Sequence, residues 1–98
     1  MEIVARLDDL NFEWDSAKAE SNLKKHGVDF FDAIDVFLDP LARILTSRID
    51  KGEERRAVIG VSRSLNLLLV VHTERDDYIR LISARTATRQ ERRLYEEQ

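Results

Sequence analysis

The sequence predicts an α+β domain, and three features of the chain indicate this class. Two segments near the N-terminus show the helical spacing of apolar residues, each after an aspartate cap. After Pro40 the spacing changes to that of strands joined by short turns. Thr88 and Glu91 then form a capping-box pattern that opens a last helix. We therefore expect an N-terminal strand, two helices, an antiparallel sheet of about four strands and a C-terminal helix.

The N-terminal part supplies the first strand and both early helices. Residues 12–14 alternate as a strand does, and Asp15 follows as the N-cap of a helix that Gly27 ends. A second helix begins after Asp29, with its apolar residues on one side. The opposite side of that helix carries Asp29, Asp32, Asp35 and Asp39. Residues 1–10 precede every predicted element, and we interpret them as a flexible N-terminal extension.

The later strands follow from alternating or continuous apolar runs. We place them at residues 41–45, 56–62, 67–73 and 78–84, with turn chemistry at 49–53. The short connections make neighbouring strands antiparallel. Residues 67–71 are apolar at every position, which predicts a central strand covered on both faces.

Composition limits the class of protein. The chain of 98 residues, 43% of them apolar, suits one domain over residues 1–98 with a modest core. It has no cysteine, which excludes disulfides and cysteine-based zinc sites. No apolar run approaches the roughly 20 residues that cross a bilayer, and the first residues lack the features of a signal peptide. We therefore expect a soluble cytoplasmic protein with no membrane partner.

The formal net charge of −3 argues against a general polyanion binder, but this average hides an asymmetry. Residues 1–40 carry ten acids and four bases, a net charge of −6. Residues 41–98 carry nine acids and twelve bases, a net charge of +3. A basic end on an acidic body suits local contact with an anion.

The basic end is rich in arginine where the last strand meets the last helix. Guanidinium groups bind phosphate and carboxylate well. Arg80 and Arg85 differ in parity, so an undistorted strand would send them to opposite faces. We expect both to meet one substrate because Arg85 has already left the strand. Arg89, Arg92 and Arg93 share one helix face, either in the site or as a salt-bridged surface.

Several short motifs occur in a specific order along the chain. They are Phe12-Glu13-Trp14-Asp15, Lys18, Asn22, Lys25-His26-Gly27-Val28, Phe30, Ala33, Val36-Phe37, Asp39-Pro40, Thr73-Glu74-Arg75, Arg80-Leu81-Ile82-Ser83-Ala84-Arg85-Thr86-Ala87, Glu91-Arg92 and Tyr95. This combination, over residues 12–95, resembles the BrnT family of toxins. The resemblance implies a RelE-like fold and a ribonuclease activity that halts growth. It also implies a BrnA-type antitoxin, which neutralises the toxin and binds operator DNA with it.

Two positions depart from the pattern of the family. A lysine is more usual where Thr86 stands between Arg85 and Ala87, so a cation is lost beside the expected site. A glycine is common where Asp77 stands in a turn. The first departure bears on the level of activity.

The implied RNA cleavage sets requirements for the side chains. Without a metal or cofactor, the 2′-hydroxyl attacks the adjacent phosphate, which needs a base, an acid for the leaving oxygen and cations for the developing charge. Arginine suits only the last role because its pKa exceeds ~12. We therefore assign phosphate binding to Arg80, Arg85 and Arg89, and we expect neither a metal nor a cofactor.

The chain has two histidines, and each has an alternative role. His26 lies at the border of the core-facing stripe of the first helix, where it either closes the helix end or transfers a proton. His72 alternates with buried positions of an apolar strand, so it is either a core or edge histidine or a base at the strand end. We favour His26 for proton transfer and keep His72 as the second candidate.

Further residues are assigned to RNA binding, each against a structural alternative. They are Lys18, Lys25, Arg55, Arg92, Arg93 and Tyr95. The two lysines share a helix face and contact phosphate or only solvent. Alternation separates Arg55 from Arg56, so only one of them faces a substrate groove. Tyr95 either stacks on a base or pins the last helix.

The sequence therefore predicts a metal-independent endoribonuclease toxin that cleaves RNA, inhibits translation and growth, and is held inactive by an antitoxin. The alternative is a non-catalytic RelE-like module that acts as a co-repressor with a DNA-binding antitoxin, which the acidic mean charge and Thr86 favour slightly. The aspartates of the second helix are expected to be solvated. A cation site and the docking of a basic antitoxin segment are the other interpretations of that face.

Overall fold

A computed structural model describes residues 1–98 and contains one six-stranded mixed sheet with three α-helices. The elements in chain order are β1 (Glu2–Leu7), β2 (Leu10–Asp15), α1 (Ser16–His26), α2 (Phe30–Ala33) followed by a 3₁₀ helix (Ile34–Leu38), β3 (Arg43–Asp50), β4 (Glu53–Val61), β5 (Leu67–Arg75), β6 (Tyr78–Thr86) and α3 (Arg89–Glu96). The strands lie in the order β1-β2-β6-β5-β4-β3. None of the helices has the length and apolar character needed to span a membrane.

The α+β class is confirmed, but the sheet has more strands than predicted. Residues 2–7 form β1 and pair antiparallel with β2 in a hairpin. The segment interpreted as a flexible extension over residues 1–10 thus lies mostly in the sheet. The two-residue turn at Asp8 and Asp9 closes this hairpin because Asp8 adopts a positive φ of 54°, which aspartate tolerates better than most residues.

The N-terminal strand also joins the sheet in an unexpected place. β2 lies parallel to β6, with Phe12 opposite Ile79 and Glu13 opposite Arg80. The sheet is therefore mixed, and the prediction of a purely antiparallel sheet of about four strands holds only for β3 to β6. This pairing places β6, the strand rich in candidate residues, between β2 and β5 near the centre of the sheet.

Hairpin turns set the lengths of the later strands. β3 begins at Arg43 rather than Leu41 and runs to Asp50, further than predicted. Lys51 and Gly52 then form the turn with φ of 52° and 81°, the positive values that tight hairpins require. As predicted, β5 is central, and Leu67 to Val70 are buried.

One face of the sheet is covered by α1, α2 and the 3₁₀ helix. Asp15 and Asp29 cap α1 and α2 with their side chains, and Gly27 ends α1 with φ of 71°. The predicted second helix forms only four α-helical residues before it tightens into the 3₁₀ helix. The buried cluster between these helices and the sheet has 12 residues, among them Phe12, Trp14, Phe30, Val70, Leu81 and Ala84. We call this side the covered face.

The opposite side, which we call the open face, is crossed by α3 at one end. Beneath α3 lies a smaller buried cluster of Ala57, Ile59, Leu67 and Leu69. α3 itself has no buried residue. It is held by polar contacts: the Tyr95 hydroxyl donates to Asp39 Oδ2 at 2.6 Å, and Arg43 Nη1 donates to the Leu94 carbonyl at 2.9 Å.

A buried asparagine fixes α1 to the centre of the sheet. Asn22 Nδ2 donates to the carbonyls of Ala84 at 2.9 Å and Val28 at 3.1 Å, and its Oδ1 accepts from Ala84 N at 3.1 Å. The Asn22 side chain thus supplies hydrogen-bond partners to the backbone of β6 beyond the point where β2 stops pairing with this strand. α1 lies along β6 as a result.

We expect Asn22→Ala to lower the free energy of unfolding by about 2–4 kcal/mol, because it leaves buried backbone groups of Ala84 and Val28 without partners. Urea denaturation followed by circular dichroism measures this change. Ser21→Ala, at the exposed neighbouring position, is the control and should change stability by less than about 0.5 kcal/mol. Equal stabilities of the two variants would contradict the role given to Asn22.

Candidate functional site

A β-bulge in β6 decides which of its side chains share a face. Val71 lies opposite Ser83, whereas the next residue of β5, His72, lies opposite Leu81. Ile82 is therefore an extra residue in β6 with no partner in β5. The alternation of side chains shifts by one position at this point.

Because of the bulge, Arg80 and Arg85 lie on the same face. Arg80 is opposite Thr73 and Arg85 is opposite Leu69. Leu69 and Thr73 have the same parity in β5, and cross-strand partners share a face. Leu69 belongs to the cluster beneath α3, so both arginines lie on the open face. The expectation that Arg85 has left the strand is wrong, since β6 extends to Thr86, but its consequence, a shared face, holds.

Arg85 is held by a bidentate ion pair with Glu91 in the first turn of α3. Nη1 donates to Oε1 at 2.8 Å, and Nη2 donates to Oε2 at 2.9 Å. Nη1 also donates to the Thr86 carbonyl at 3.3 Å. The hydrogen bonds from Arg85 lower the pKa of Glu91 to about 2, and the same bonds raise the pKa of Arg85. Of the five N–H donors of the guanidinium, Nε–H and one Nη2–H have no acceptor in the protein.

Arg80 is enclosed by carboxylates. Its Nη2 donates to Glu2 at 3.1 Å, and its Nη1 donates to Glu13 at 2.9 Å. These hydrogen bonds raise the pKa of Arg80 and hold the pKa of Glu2 below its usual value. Two carboxylates around one guanidinium leave a negative local charge that disfavours a phosphate. Arg80 thus ties β1 and β2 to β6, and this environment argues against the phosphate-binding role predicted for it.

A shallow groove of about 200 Å³ lies where α1 meets the bulge. Its lining includes Lys18, Ser21, Lys25, His26, Ile82 and Ser83. Neither Lys18 nor Lys25 forms an ion pair, whereas Lys24 pairs with Glu20 at 3.5 Å. Ser83 shares the open face with Arg85, about 7 Å further along the strand. The structure therefore brings the predicted residues of α1 to Ser83, two residues before Arg85 in β6.

His72 lies on the other side of the sheet. It is buried on the covered face, where its ring meets Phe37 edge-on with the ring centroids 5.0 Å apart. Burial lowers the pKa of His72, and its Nδ1 has no hydrogen-bond partner. The sheet separates it from Arg85. His72 is therefore a core histidine, the first of its two predicted roles. Its buried position on the covered face argues against the predicted role in proton transfer.

The other residues assigned to RNA binding are dispersed. Arg55 lies on the open face, where it pairs with Asp50 at 2.9 Å. The hydrogen bond from Tyr95 to Asp39 pins α3, which agrees with the simpler of the two predicted roles. Partial burial and this hydrogen bond raise the pKa of Tyr95 to about 12. The exposed arginines of α3 are Arg89, Arg92 and Arg93.

The aspartates of the second helix are not simply solvated. Asp32 accepts hydrogen bonds from the hydroxyls of Ser62 at 3.2 Å and Ser64 at 2.8 Å. Asp39 accepts from Val61 N at 2.9 Å, in addition to Tyr95. These carboxylates anchor the β4–β5 loop and α3. No group of three or more acidic or histidine side chains is arranged to hold a metal ion.

The missing lysine at position 86 matters less than the sequence suggested. Thr86 lies opposite Leu68, which belongs to the cluster on the covered face. A lysine there would extend from the face opposite Arg85. Thr86 therefore removes no cation from the open face.

Two residues of the site were missed by the sequence analysis. Glu91 was interpreted as half of a capping box and as part of a family motif, but not as a partner of Arg85. Its position six residues after Arg85, across the helix cap, is compatible with an ion pair. Ser83 was given no role, although its spacing of two residues from Arg85 places both on one face of β6. Only the bulge at Ile82 turns that face away from the covered core.

Comparison with known proteins shows the family of the chain. Residues 14–91 match the family described as "Ribonuclease toxin, BrnT, of type II toxin-antitoxin system". The chain belongs to the BrnT family. The match includes the bulged strand and Glu91, and it confirms the resemblance first suggested by the motifs.

The fold is similar to that of the Brucella abortus ribonuclease toxin BrnT, known from a crystal structure at 1.1 Å resolution. The TM-score is 0.63 at 29% sequence identity, over 78% of this chain and 94% of that chain. No curated protein gives a significant match. Membership of the BrnT family implies ribonuclease activity at the level of the family and an antitoxin protein as partner.

The ion pair of Arg85 with Glu91 predicts a pH-dependent contribution to stability. The pKa of Glu91 falls from an ordinary 4.5 to about 2, so this contribution is complete above pH 4.5 and is lost as the pH falls toward 2. We expect Glu91→Gln, which keeps the acceptor for Thr88 N, to lower the free energy of unfolding at pH 7 by roughly 1–2 kcal/mol, given the partial exposure of Arg85. The difference in the free energy of unfolding between the native protein and Glu91→Gln should become smaller below pH 4.5.

Urea denaturation between pH 3 and pH 7 measures this difference. Glu96→Gln, an exposed position on the same helix, is the matched control and should show no such dependence. A deficit that stays constant through this pH range would mean that the charge of Glu91 does not cause it.

Proposed function

We propose that the protein is a metal-independent endoribonuclease that holds the scissile phosphate of RNA between Arg85 and the groove along α1. The bulge in β6 is the observation that carries this proposal, because it turns Ser83 and Arg85 to the open face while Leu81 stays in the covered core. Ser83 lines the groove together with Lys25 and His26. The ribonuclease description of the family supports RNA as the substrate. The proposal includes a single RelE-like domain over residues 1–98 and a cytoplasmic location.

Arg85 is suited to bind a phosphate whose charge increases during the reaction. The bidentate pair with Glu91 fixes the plane of the guanidinium, and Nε–H and one Nη2–H remain free to donate. A donor held in place before the substrate arrives loses little freedom in the transition state. Because Glu91 neutralises Arg85, further positive charge is needed. Lys18 and Lys25 in the adjoining groove supply it.

Proton transfer is assigned to His26. Glu91, with a pKa of about 2, is a poor proton acceptor at neutral pH. Imidazole is the side-chain group that most often accepts and donates protons near neutrality, and His26 is the histidine in the groove. The 2′-oxygen loses its proton and attacks phosphorus, and the bond from phosphorus to the 5′-oxygen breaks. The products are a 2′,3′-cyclic phosphate and a 5′-hydroxyl end.

We expect Arg85→Ala to slow cleavage of a defined structured RNA by about 100- to 1,000-fold, the usual effect of removing one donor to a developing oxyanion. EDTA should not change the rate of the native protein. Gel analysis of the cleavage rate and identification of the new ends measure both outcomes. Arg56→Ala is the matched control, because Arg56 lies opposite the buried His72 and thus on the covered face.

Circular dichroism must show that Arg85→Ala is folded, since this change leaves Glu91 unpaired. A folded Arg85→Ala protein that cleaves as fast as the native one would remove Arg85 from the mechanism. Cleavage that EDTA abolishes would overturn the metal-independent reaction. Loss of activity in His26→Ala with unchanged RNA binding would support proton transfer by His26.

One observation favours the alternative of a non-catalytic module. Arg80 and Arg85 are both neutralised by carboxylates of the same chain, so the open face is less basic than its arginines suggest. In this case the protein would act only with an antitoxin as a co-repressor. Induction of the protein alone separates the two candidates, because growth arrest requires the active toxin.

The proposed partner is a BrnA-type antitoxin that neutralises the toxin and contacts operator DNA, which the toxin would reach only through the antitoxin. The type II toxin–antitoxin description of the family supports a protein partner. Coexpression of the antitoxin should restore growth after induction.

A further inference from the structure

A second cavity on the open face adjoins Arg85 beneath α3. Its volume is about 510 Å³, within the roughly 300–1,000 Å³ of typical small-molecule sites. Leu45, Ala57 and Leu69 form an apolar floor on the sheet, and Gln90 and Leu94 belong to the wall that α3 supplies. Arg85 lies at the border of this cavity.

We propose that this cavity binds one nucleobase of the RNA and that Gln90 recognises its edge. This inference rests on the proposed function, because the base belongs to the strand whose phosphate Arg85 holds. It adds to that function a site for base recognition, and it makes Gln90 a residue that determines specificity. We refer to the cavity as the base pocket.

The floor of the base pocket suits the flat, largely apolar face of a base. Ala57 and Leu69 are buried in the sheet, and the single methyl group of Ala57 leaves room above it. Arg85 is the cross-strand partner of Leu69, so its side chain leaves the backbone one strand spacing, about 4.8 Å, from Leu69. A base on Leu69 and a phosphate on Arg85 can therefore come from the same part of one strand.

The wall supplies the polar groups that a base edge requires. Gln90 is exposed, and its side-chain amide makes no hydrogen bond within the protein. The side-chain amide offers an NH2 group that donates and a carbonyl oxygen that accepts, which match the paired groups on a base edge. Glu91 and Arg85, the charged groups of the pocket, are already bonded to each other and do not compete for the base. Thr46 offers a further hydroxyl at the rim.

The base pocket and the groove of α1 lie on opposite sides of Arg85. The groove, with Ser83 in its lining, lies toward α1. The base pocket, lined by Leu69 and Gln90, lies toward α3. A single-stranded RNA that crosses the open face would thus place a base under α3 and its sugar–phosphate backbone toward Lys25. The direction of the RNA backbone across the open face is thus set by the positions of α1 and α3 on the sheet.

Nucleotide titration of the ¹⁵N-labelled protein tests the base pocket without cleavage. Each of the four nucleoside 5′-monophosphates is compared with ribose 5-phosphate, which lacks a base. We expect the nucleotides to shift the amide signals of Ala57, Leu69 and Gln90, and ribose 5-phosphate to shift only signals near Arg85. Gln90→Ala should weaken binding of the preferred nucleotide roughly three- to tenfold and leave ribose 5-phosphate unchanged. Glu96→Ala is the control on α3.

Sequencing of RNA ends gives the second readout. We expect Gln90→Ala to relax the base preference next to the cleaved bond, whereas Glu96→Ala keeps it. Identical shifts for nucleotides and ribose 5-phosphate, or equal nucleotide affinities of Gln90→Ala and the native protein, would overturn the base pocket. If nucleotides fill the pocket but RNA is not cut, the proposed function fails and the pocket remains. If RNA is cut with no preference that depends on Gln90, the pocket alone fails.

Discussion

The extra residue Ile82 in β6 is the constraint on which the candidate site depends. It lets Leu81 and Ala84 both face the covered core, while Ser83 and Arg85 reach the open face. A bulge disturbs the hydrogen-bond ladder of its strand. Two residues later, the backbone N–H and C=O of Ala84, which no neighbouring strand pairs on this side, bond to the side chain of Asn22 in α1. The contact that docks α1 on the sheet is therefore also what brings Lys18 and Lys25 to the groove at Ser83.

Internal ion pairs explain how an acidic protein can carry an arginine-rich face. Glu2 and Glu13 enclose Arg80, and Glu91 holds Arg85. The open face also includes the bidentate pair of Arg75 with Glu53. Such pairs orient guanidinium groups and remove most of their long-range attraction for a polyanion. Recognition of RNA would then depend on the few donors that remain free and on the unpaired lysines of α1, a local contact consistent with the net charge of −3.

The last helix connects these features although it buries little. α3 has no buried residue, and its position depends on the Arg85–Glu91 ion pair and on the Tyr95–Asp39 and Arg43–Leu94 hydrogen bonds. Its first turn supplies Glu91, which orients Arg85, and Gln90, which lines the cavity beside it. Elements with few apolar contacts open at low free energy. The geometry of Arg85 therefore depends on a helix that buries no residue completely.

The sequence by itself determined the α+β class, the capped helices, the antiparallel order of the last four strands and membership of the BrnT family. Each of these follows from periodicity, caps and turns that act over a few neighbouring residues, or from motifs that keep their order. Only the tertiary structure decided that β2 joins β6, that Arg80 meets acids 67 and 78 residues away, and that His72 lies on the far side of the sheet. These outcomes depend on register between distant segments, where one extra residue moves a side chain to the other face. No local pattern around Ile82 indicates that extra residue. The sequence could therefore predict which residues belong to the site of Arg85, but not how they are arranged.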